Sequence, residues 1–251
     1  MDDSMNDPAT SIQPRSDERA LRGGIVPVSA LSGDERNAMF ALFTRYFDGA
    51  RSVFDRDLAE KESVVLLRAA EQIAGFSTLM RLELALGERP VTIFFSGDTI
   101  MDRAYWGSAE LPRLWSRHVF HLAEALHHEA YWFLISSGFR TYRYLPLFFR
   151  DFVPKREQHS STHEVRLLDA IAMSKFGTRY DRASGIVRLE HRTPLRPGVS
   201  EPGPRQLQDP DVQYFLSRNP GYRDGDELAC LVRIARENLT RAGERMVNGR
   251  E

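Results

Sequence analysis

The segment from Gln72 to Ser96 narrows the possible folds more than any other. Two extended apolar runs, Gln72–Leu86 and Val91–Ser96, are separated by the turn residues Gly87-Glu88-Arg89-Pro90. β-Branched and aromatic residues in the runs, with Gly and Pro between them, predict a long antiparallel hairpin. Leu111–His128 then places Leu114, Trp115, Val119, Leu122 and Leu126 along one helical stripe, with Pro112 in the first turn, where a missing N–H is tolerated. Ala130–Ser136 is a continuous apolar run of strand length, bounded by Ser137-Gly138. Hairpin, amphipathic helix and buried strand in that order predict an α/β (α+β) chain with a mixed central sheet flanked by helices.

The flanking sequence extends this pattern. Ile25–Ser29 is extended, and Ser32 is placed to cap a helix carrying Met39, Leu42, Phe43 and Phe47. Arg51–Lys61 has Val53, Phe54 and Leu58 at helical spacing and leads into a strand at Val64–Leu67. After the Ala130 strand, Phe139–Phe152 alternates aromatics with arginines at helical spacing and predicts one helix; Glu164–Lys175 predicts another, and Ile186–Glu190 a further strand. Thr193–Pro204 is a Pro/Gly-rich loop, either a lid or a linker. The end of the chain adds Pro210–Leu216, a turn at Asn219-Pro220-Gly221, a strand at Leu228–Ile234 and a polar helix to Met246. Residues 1–22 read as a disordered lead-in and 23–251 as one domain, since no break in composition interrupts them.

Charge and cysteine content remove several functions. Thirty-four basic side chains face thirty-five acidic ones, so no net field draws the chain to nucleic acid. The single cysteine, Cys230, lies in an apolar run, which predicts a buried, inert thiol and suits a reducing compartment. Met1–Asp17 has no signal-peptide core, and nowhere do about 18 apolar residues run together, so a cytoplasmic chain without a transmembrane segment is expected. Gly-x-Gly-x-x-Gly, Gly-x-x-x-x-Gly-Lys-Ser/Thr and Gly-x-Ser-x-Gly are all absent, as is His-Glu-x-x-His.

Taken from Ile25 to Ile234, the order strand, two helices, strand, long hairpin, helix, strand, helix resembles that of the GNAT-like N-acyltransferases. The resemblance implies a single GNAT-like domain with extra C-terminal helical and strand segments. It also implies an acyl-thioester donor and no tightly bound cofactor. The family's phosphate loop, Arg/Gln-x-x-Gly-x-Gly/Ala, is missing: the matching stretch is Tyr105-Trp-Gly-Ser-Ala-Glu-Leu-Pro112. Arg51 three residues before Phe54 is similar to the opening of the acyl-carrier-protein-dependent branch, the acyl-homoserine-lactone synthases and long-chain N-acyl amino acid synthases. That likeness implies transfer of a fatty acyl group from an acyl carrier protein or coenzyme A to the amine of an amino acid or similar small molecule. The alternative within the fold is a non-catalytic protein that binds a lipid or a partner.

The chemistry such a site needs is a backbone N–H to polarise the thioester carbonyl and a group to take the amine's proton. Ser96-Gly97-Asp98-Thr99, at the end of the hairpin's second strand, supplies the candidates: Gly97 admits a close ligand, Asp98 serves the amine, and Ser96 stands beside them. The same tetrapeptide also suits a plain turn or helix cap. Phe95 and Thr99 flank it; Trp132 and Ser136 lie on the next strand, and Tyr142 and Phe148 follow, aromatics that fill either a core or an acyl pocket. Arg140 and Arg143, near a helix start where cations are disfavoured, suit an anionic partner. His118, His121, His127 and His128 frame a rival reading as a different α/β enzyme with a histidine-lined pocket, although no third metal ligand follows from the spacing.

Overall fold

The computed structural model of the chain describes residues 20–86, 89–156, 162–199 and 201–249. Among the described residues eight strands form one sheet: β1 (Leu21–Pro27), β2 (Ser63–Ala69), β3 (Gln72–Leu86), β4 (Arg89–Met101), β5 (Ala130–Ser136), β6 (Tyr180–Asp181), β7 (Ile186–Val187) and β8 (Glu227–Arg233), in the order β1-β2-β3-β4-β5-β8-β7-β6. Every neighbouring pair is antiparallel except β4 and β5, which run parallel. A parallel pair needs a crossover, and helix α3 (Glu110–Glu124) supplies it. The sheet is therefore mixed and flanked by helices, the fold class expected from the sequence.

Helices cover both faces. On one side α3, α4 (Phe139–Tyr142), α5 (Tyr144–Phe148), α7 (Pro210–Arg218) and α8 (Arg241–Asn248) bury Trp115, Val119, Tyr142, Leu145, Phe215 and Val247 against Phe94, Trp132, Leu134 and Cys230. On the other, α1 (Gly33–Tyr46) and α2 (Arg51–Ala59) pack Met39, Phe43, Phe54 and Leu58 on Val64, Leu66, Phe76 and Ile100. Beside them α6 (Thr162–Phe176) packs Leu167, Ile171 and Phe176 on Ile93, Phe95, Phe133 and Leu231. The alternation of strand residues between these layers follows from the two-residue period of the pleat.

Local chemistry explains the boundaries. Ser32 Oγ accepts from Glu35 N at 3.1 Å while Glu35 Oε2 accepts from Ser32 N at 2.7 Å, a reciprocal cap that starts α1 where the sequence placed it. β1 begins at Leu21, so the last residues assigned to the lead-in pair with β2, while residues 1–19 lie outside the described residues. Arg89 and Pro90, expected in the turn, belong to β4; pairing with β5 starts only at Thr92, so the missing N–H of Pro90 costs no bond on that side. Gly87 and Glu88 lie outside the described residues.

Two helices are shorter than their periodicity suggested. α3 stops at Glu124, because Ala125 and Leu126 close tight turns on Leu122 and Ala123 before the chain enters β5. His127 and His128 thus lie beyond the helix, and His128 Nε2 sits 2.8 Å from Thr92 Oγ1. The single helix expected over Phe139–Phe152 is two short helices followed by extended chain, with bridges from Phe149 to Leu239 and from Val153 to Leu231. Pro146 is the cause, since it has no N–H to donate to the Tyr142 carbonyl.

Gly243 fixes how closely α8 meets α5. A Cβ there would overlap the Phe148 carbonyl oxygen and stand 2.9 Å from Leu239 Cδ2. Gly243→Ala should therefore cost about 1–3 kcal/mol of stability, the usual range for overpacking, read as a lower urea midpoint. An unchanged midpoint would show that α8 does not seat on α5 at this distance.

Candidate functional site

The site begins with an extra residue in β4. Thr99 pairs with Ser77 and Ser96 with Leu79, so Gly97 and Asp98 together oppose Thr78. Such a bulge bends its strand and increases the twist. Pairing of β4 with β5 accordingly ends at Ser96 opposite Leu134, and the two strands part. The tetrapeptide Ser96–Thr99 is therefore neither a turn nor a cap; it lies within a strand that runs on to Met101.

Three neighbouring pockets open where the strands part, and Thr99 and Thr141 line all of them. The largest, about 310 Å³, runs past Met101, Trp106, Gly138 and Arg140 beneath Leu195 and Val199. Arg140 lies 4.6 Å from the Trp106 ring centre and 4.7 Å from that of Phe139, donates to the Val199 carbonyl, and has no carboxylate partner among the described residues. Burial, with Arg103 nearby, holds its pKa below the usual guanidinium value. Arg143, on the same rim, is paired with Asp209 at 2.9 Å.

The second pocket, about 140 Å³, is lined by Phe43, Phe47 and Phe54, by Asp57, Asp98 and Glu227, and by His191. The side chains of Asp98 and Glu227 are half-buried and make no hydrogen bond or ion pair among the described residues. Burial first, and then the Asp57 charge, push the Asp98 carboxyl up to about 7, against a downward pull from Lys61. Glu227 is raised well above the carboxylate range by burial and then by Asp98 and Asp57. Lys61 is wholly enclosed: its Nζ meets Asp57 Oδ1 at 2.6 Å and the Asp57 carbonyl at 3.0 Å.

The third is an apolar recess of about 40 Å³ between Leu111, Trp115, Trp132, Phe148 and Phe149. Trp132 packs 4.5 Å from Trp115, centre to centre, and donates from Nε1 to Ser96 Oγ at 2.8 Å. Thr99 Oγ1 lies 2.8 Å from Ser77 Oγ. The Thr193–Pro204 loop lines the first two pockets and is tied down: Leu195 bridges Phe47, and Arg196 donates to the carbonyl of Tyr46 from its amide and to that of Thr44 from Nε. Ser200 of this loop lies outside the described residues.

The structure thus gathers Ser96, Gly97, Asp98, Thr99, Phe54, Trp132, Arg140 and Phe148 at one cleft, and leaves other candidates outside it. Tyr142 is core: its hydroxyl donates to the Pro154 carbonyl, and its ring packs on Phe152 and Phe215. Ser136 is buried and donates to the Gly138 carbonyl, so its neighbour Ser137 lines the cleft instead. Phe95 points to the α6 side, beneath Lys61 and Lys175. Arg51 faces outward, bound to Asp55 and Asn37. Asp57, Lys61, Thr141 and Glu227 were not singled out by the sequence: Asp57 and Lys61 sit in a charged stretch typical of an exposed helix, and Glu227 follows Gly225-Asp226 like any turn residue. Among the described residues no group of three His, Cys, Asp or Glu side chains is placed to hold a metal, and no helix is long and apolar enough to cross a membrane. Cys230 is buried, and burial pushes its thiol pKa up.

No protein-family model matches this sequence, and neither does any curated protein. Solved structures do. One is a conserved protein of unknown function from Enterococcus faecalis, described as a probable N-acyltransferase: 13% identity, 52% of this chain, 33% of that one, TM-score 0.39. A second is a GCN5-related N-acetyltransferase from Kribbella flavida: 11% identity, 53% of this chain, 34% of that one, TM-score 0.38. A third is glucosamine-6-phosphate N-acetyltransferase from Arabidopsis thaliana: 12% identity, 46% of this chain, 82% of that one, TM-score 0.33. All three descriptions name N-acyl or N-acetyl transfer. This chain spans about a third of the first two.

Proposed function

We propose that the protein transfers an acyl group from a phosphopantetheine thioester, carried by coenzyme A or an acyl carrier protein, to the amine of a small molecule. The observation that carries this reading is the parting of β4 and β5 after Ser96, with Asp98 on the bulge beside the gap. Backbone N–H groups of β4 beyond Ser96 have no β5 partner and are free to polarise a thioester carbonyl. The amine attacks that carbon, Asp98 takes its proton, and the C–S bond breaks to give an amide and a thiolate, which is protonated to the free thiol.

The three pockets divide the substrates, with the amine beside Asp98 in the second. Arg140 faces the donor's phosphate from the 310 Å³ cleft, a side-chain anion site in place of the absent glycine loop. The acyl group enters the recess at Trp132 and Phe148, whose volume of about 40 Å³ suits a short chain better than a fatty one. The test incubates the purified protein with acetyl, butyryl and palmitoyl coenzyme A, and with an acylated carrier protein, each with a panel of amines, following thiol release and amide mass. Amine-dependent thiol release, fastest with the short donors, is expected. Thioester binding without amine-dependent release would instead favour a non-catalytic binding protein.

A further inference from the structure

Charge is segregated along the cleft. Among the described residues, the donor-side pocket is lined by two arginines, Arg140 and Arg143, and by no carboxylate. The other pocket is lined by Asp57, Asp98 and Glu227, with His191 on its wall, and by no lysine or arginine. Behind it, Lys61 is committed to Asp57, and Lys175 of α6 lies 3.5 Å from Glu60. Asp98 feels Lys61 only as a more distant charge, and Glu227 has no ion pair among the described residues. Acyl transfer assigns a task to one of them, since Asp98 receives the reacting amine's proton; Glu227 has none.

The same pocket has features beyond its acids. Phe43, Phe47 and Phe54, whose rings pack on one another, form an aromatic wall in it, and together with the carboxylates this suits an organic ammonium because ring faces and carboxylates both attract it. Thr78 Oγ1, fully buried and without a partner among the described residues, lies 2.7 Å from where a Cβ on Gly97 would stand, as does Lys61 Cε, with Lys61 Nζ at 3.4 Å. We infer that the acceptor is a small linear diamine: one nitrogen is acylated beside Asp98, and the second, as an ammonium, is held by Glu227 against the phenylalanine wall. This rests on the acyl-transfer reading and deepens it. It also narrows the acceptor expected from sequence, because the carboxylate of an α-amino acid would enter a pocket already lined by three acids.

Calorimetric titration of the full chain, without donor, tests the inference directly, using 1,4-diaminobutane, butylamine and glycine as probes. The wild type should bind the diamine at least tenfold more tightly than butylamine and glycine more weakly than either. Glu227→Gln should abolish the diamine preference and Glu227→Asp should restore part of it. The same ratio, read as kcat/KM for diamine over monoamine, should fall at least tenfold in Glu227→Gln. Equal affinity for diamine and butylamine, tight glycine binding, or a preference that survives in Glu227→Gln would overturn the diamine assignment while leaving acylation of butylamine to support the transferase reading. Diamine binding that depends on Glu227, with no transfer to any amine, would support the diammonium site and count against the transferase alone.

Discussion

Replacing Asp98 by Asn should lower kcat/KM for amine acylation by about 10²- to 10⁴-fold, the range typical of a lost general base, while the protein stays folded. The wild-type rate should rise with pH through about 7, where the Asp98 carboxyl loses its proton, and the variant's residual rate should lack that limb. The groups facing Asp98 are Asp57 and Lys61 from the α2 side, Glu227 from β8 and His191 from the loop after β7. Stability should respond in the opposite sense. The folded-state value of about 7 lies above the ordinary 3.8, so between those values the fold holds a proton that the unfolded chain has released. Stability contributed by that proton is complete at low pH and lost as pH rises through about 7. Asp98→Asn should accordingly melt higher than the wild type at pH 8 and show no such gain at pH 4. A folded variant with full activity, or a wild-type rate flat across pH 6–8, would remove Asp98 from the mechanism.

Lys61→Met should have the next largest effect, through charge. Lys61 is the cation that pulls the Asp98 value down, and its side chain is 0% exposed. Without it the three carboxylates of the pocket lose their nearest cation, so the acid limb of the rate should move to higher pH and activity at pH 7 should fall. Breaking a buried pair costs about 3–5 kcal/mol; with Asp57 41% exposed the cost here is nearer 1–3 kcal/mol. Asp57→Asn supplies the control with the opposite sign, because Asp57 raises the Asp98 value and its removal should shift the limb down. Limbs that move the same way in both variants would show that Lys61 and Asp57 act on rate by position and not by field. The pair also separates charge from packing, since only Lys61→Met disturbs the contact 5.6 Å above the Phe95 ring.

Much of the scaffold was legible because its determinants are local. The Ser32 cap, the apolar runs of β2 to β5 and the stripe of α3 report periodicity and capping, which act over a few residues, and they place the elements in order. Where a nonlocal or side-chain-specific constraint acts, the same patterns overran: α3 was read through to His128, and the Phe139–Phe152 spacing concealed the break that Pro146 makes. Asp98 stood out as a carboxylate after a glycine at a strand end. Its setting as a β-bulge did not, because a bulge is a mismatch of register between β3 and β4 that neither strand carries alone.

Sequence by itself therefore determined the element order, the buried Cys230, the absence of phosphate-loop and nucleotide motifs and the suspicion attached to Ser96–Thr99. Tertiary structure alone decided that β4 and β5 part after Ser96, that Glu227 comes from the far end of the chain to face Asp98, and that Tyr142 and Ser136 serve the core. The physical reason is reach. Propensity and amphipathic pattern are fixed by neighbours along the chain, whereas a shifted carboxylate is fixed by whatever charges the fold packs around it, here from α2, β4 and β8.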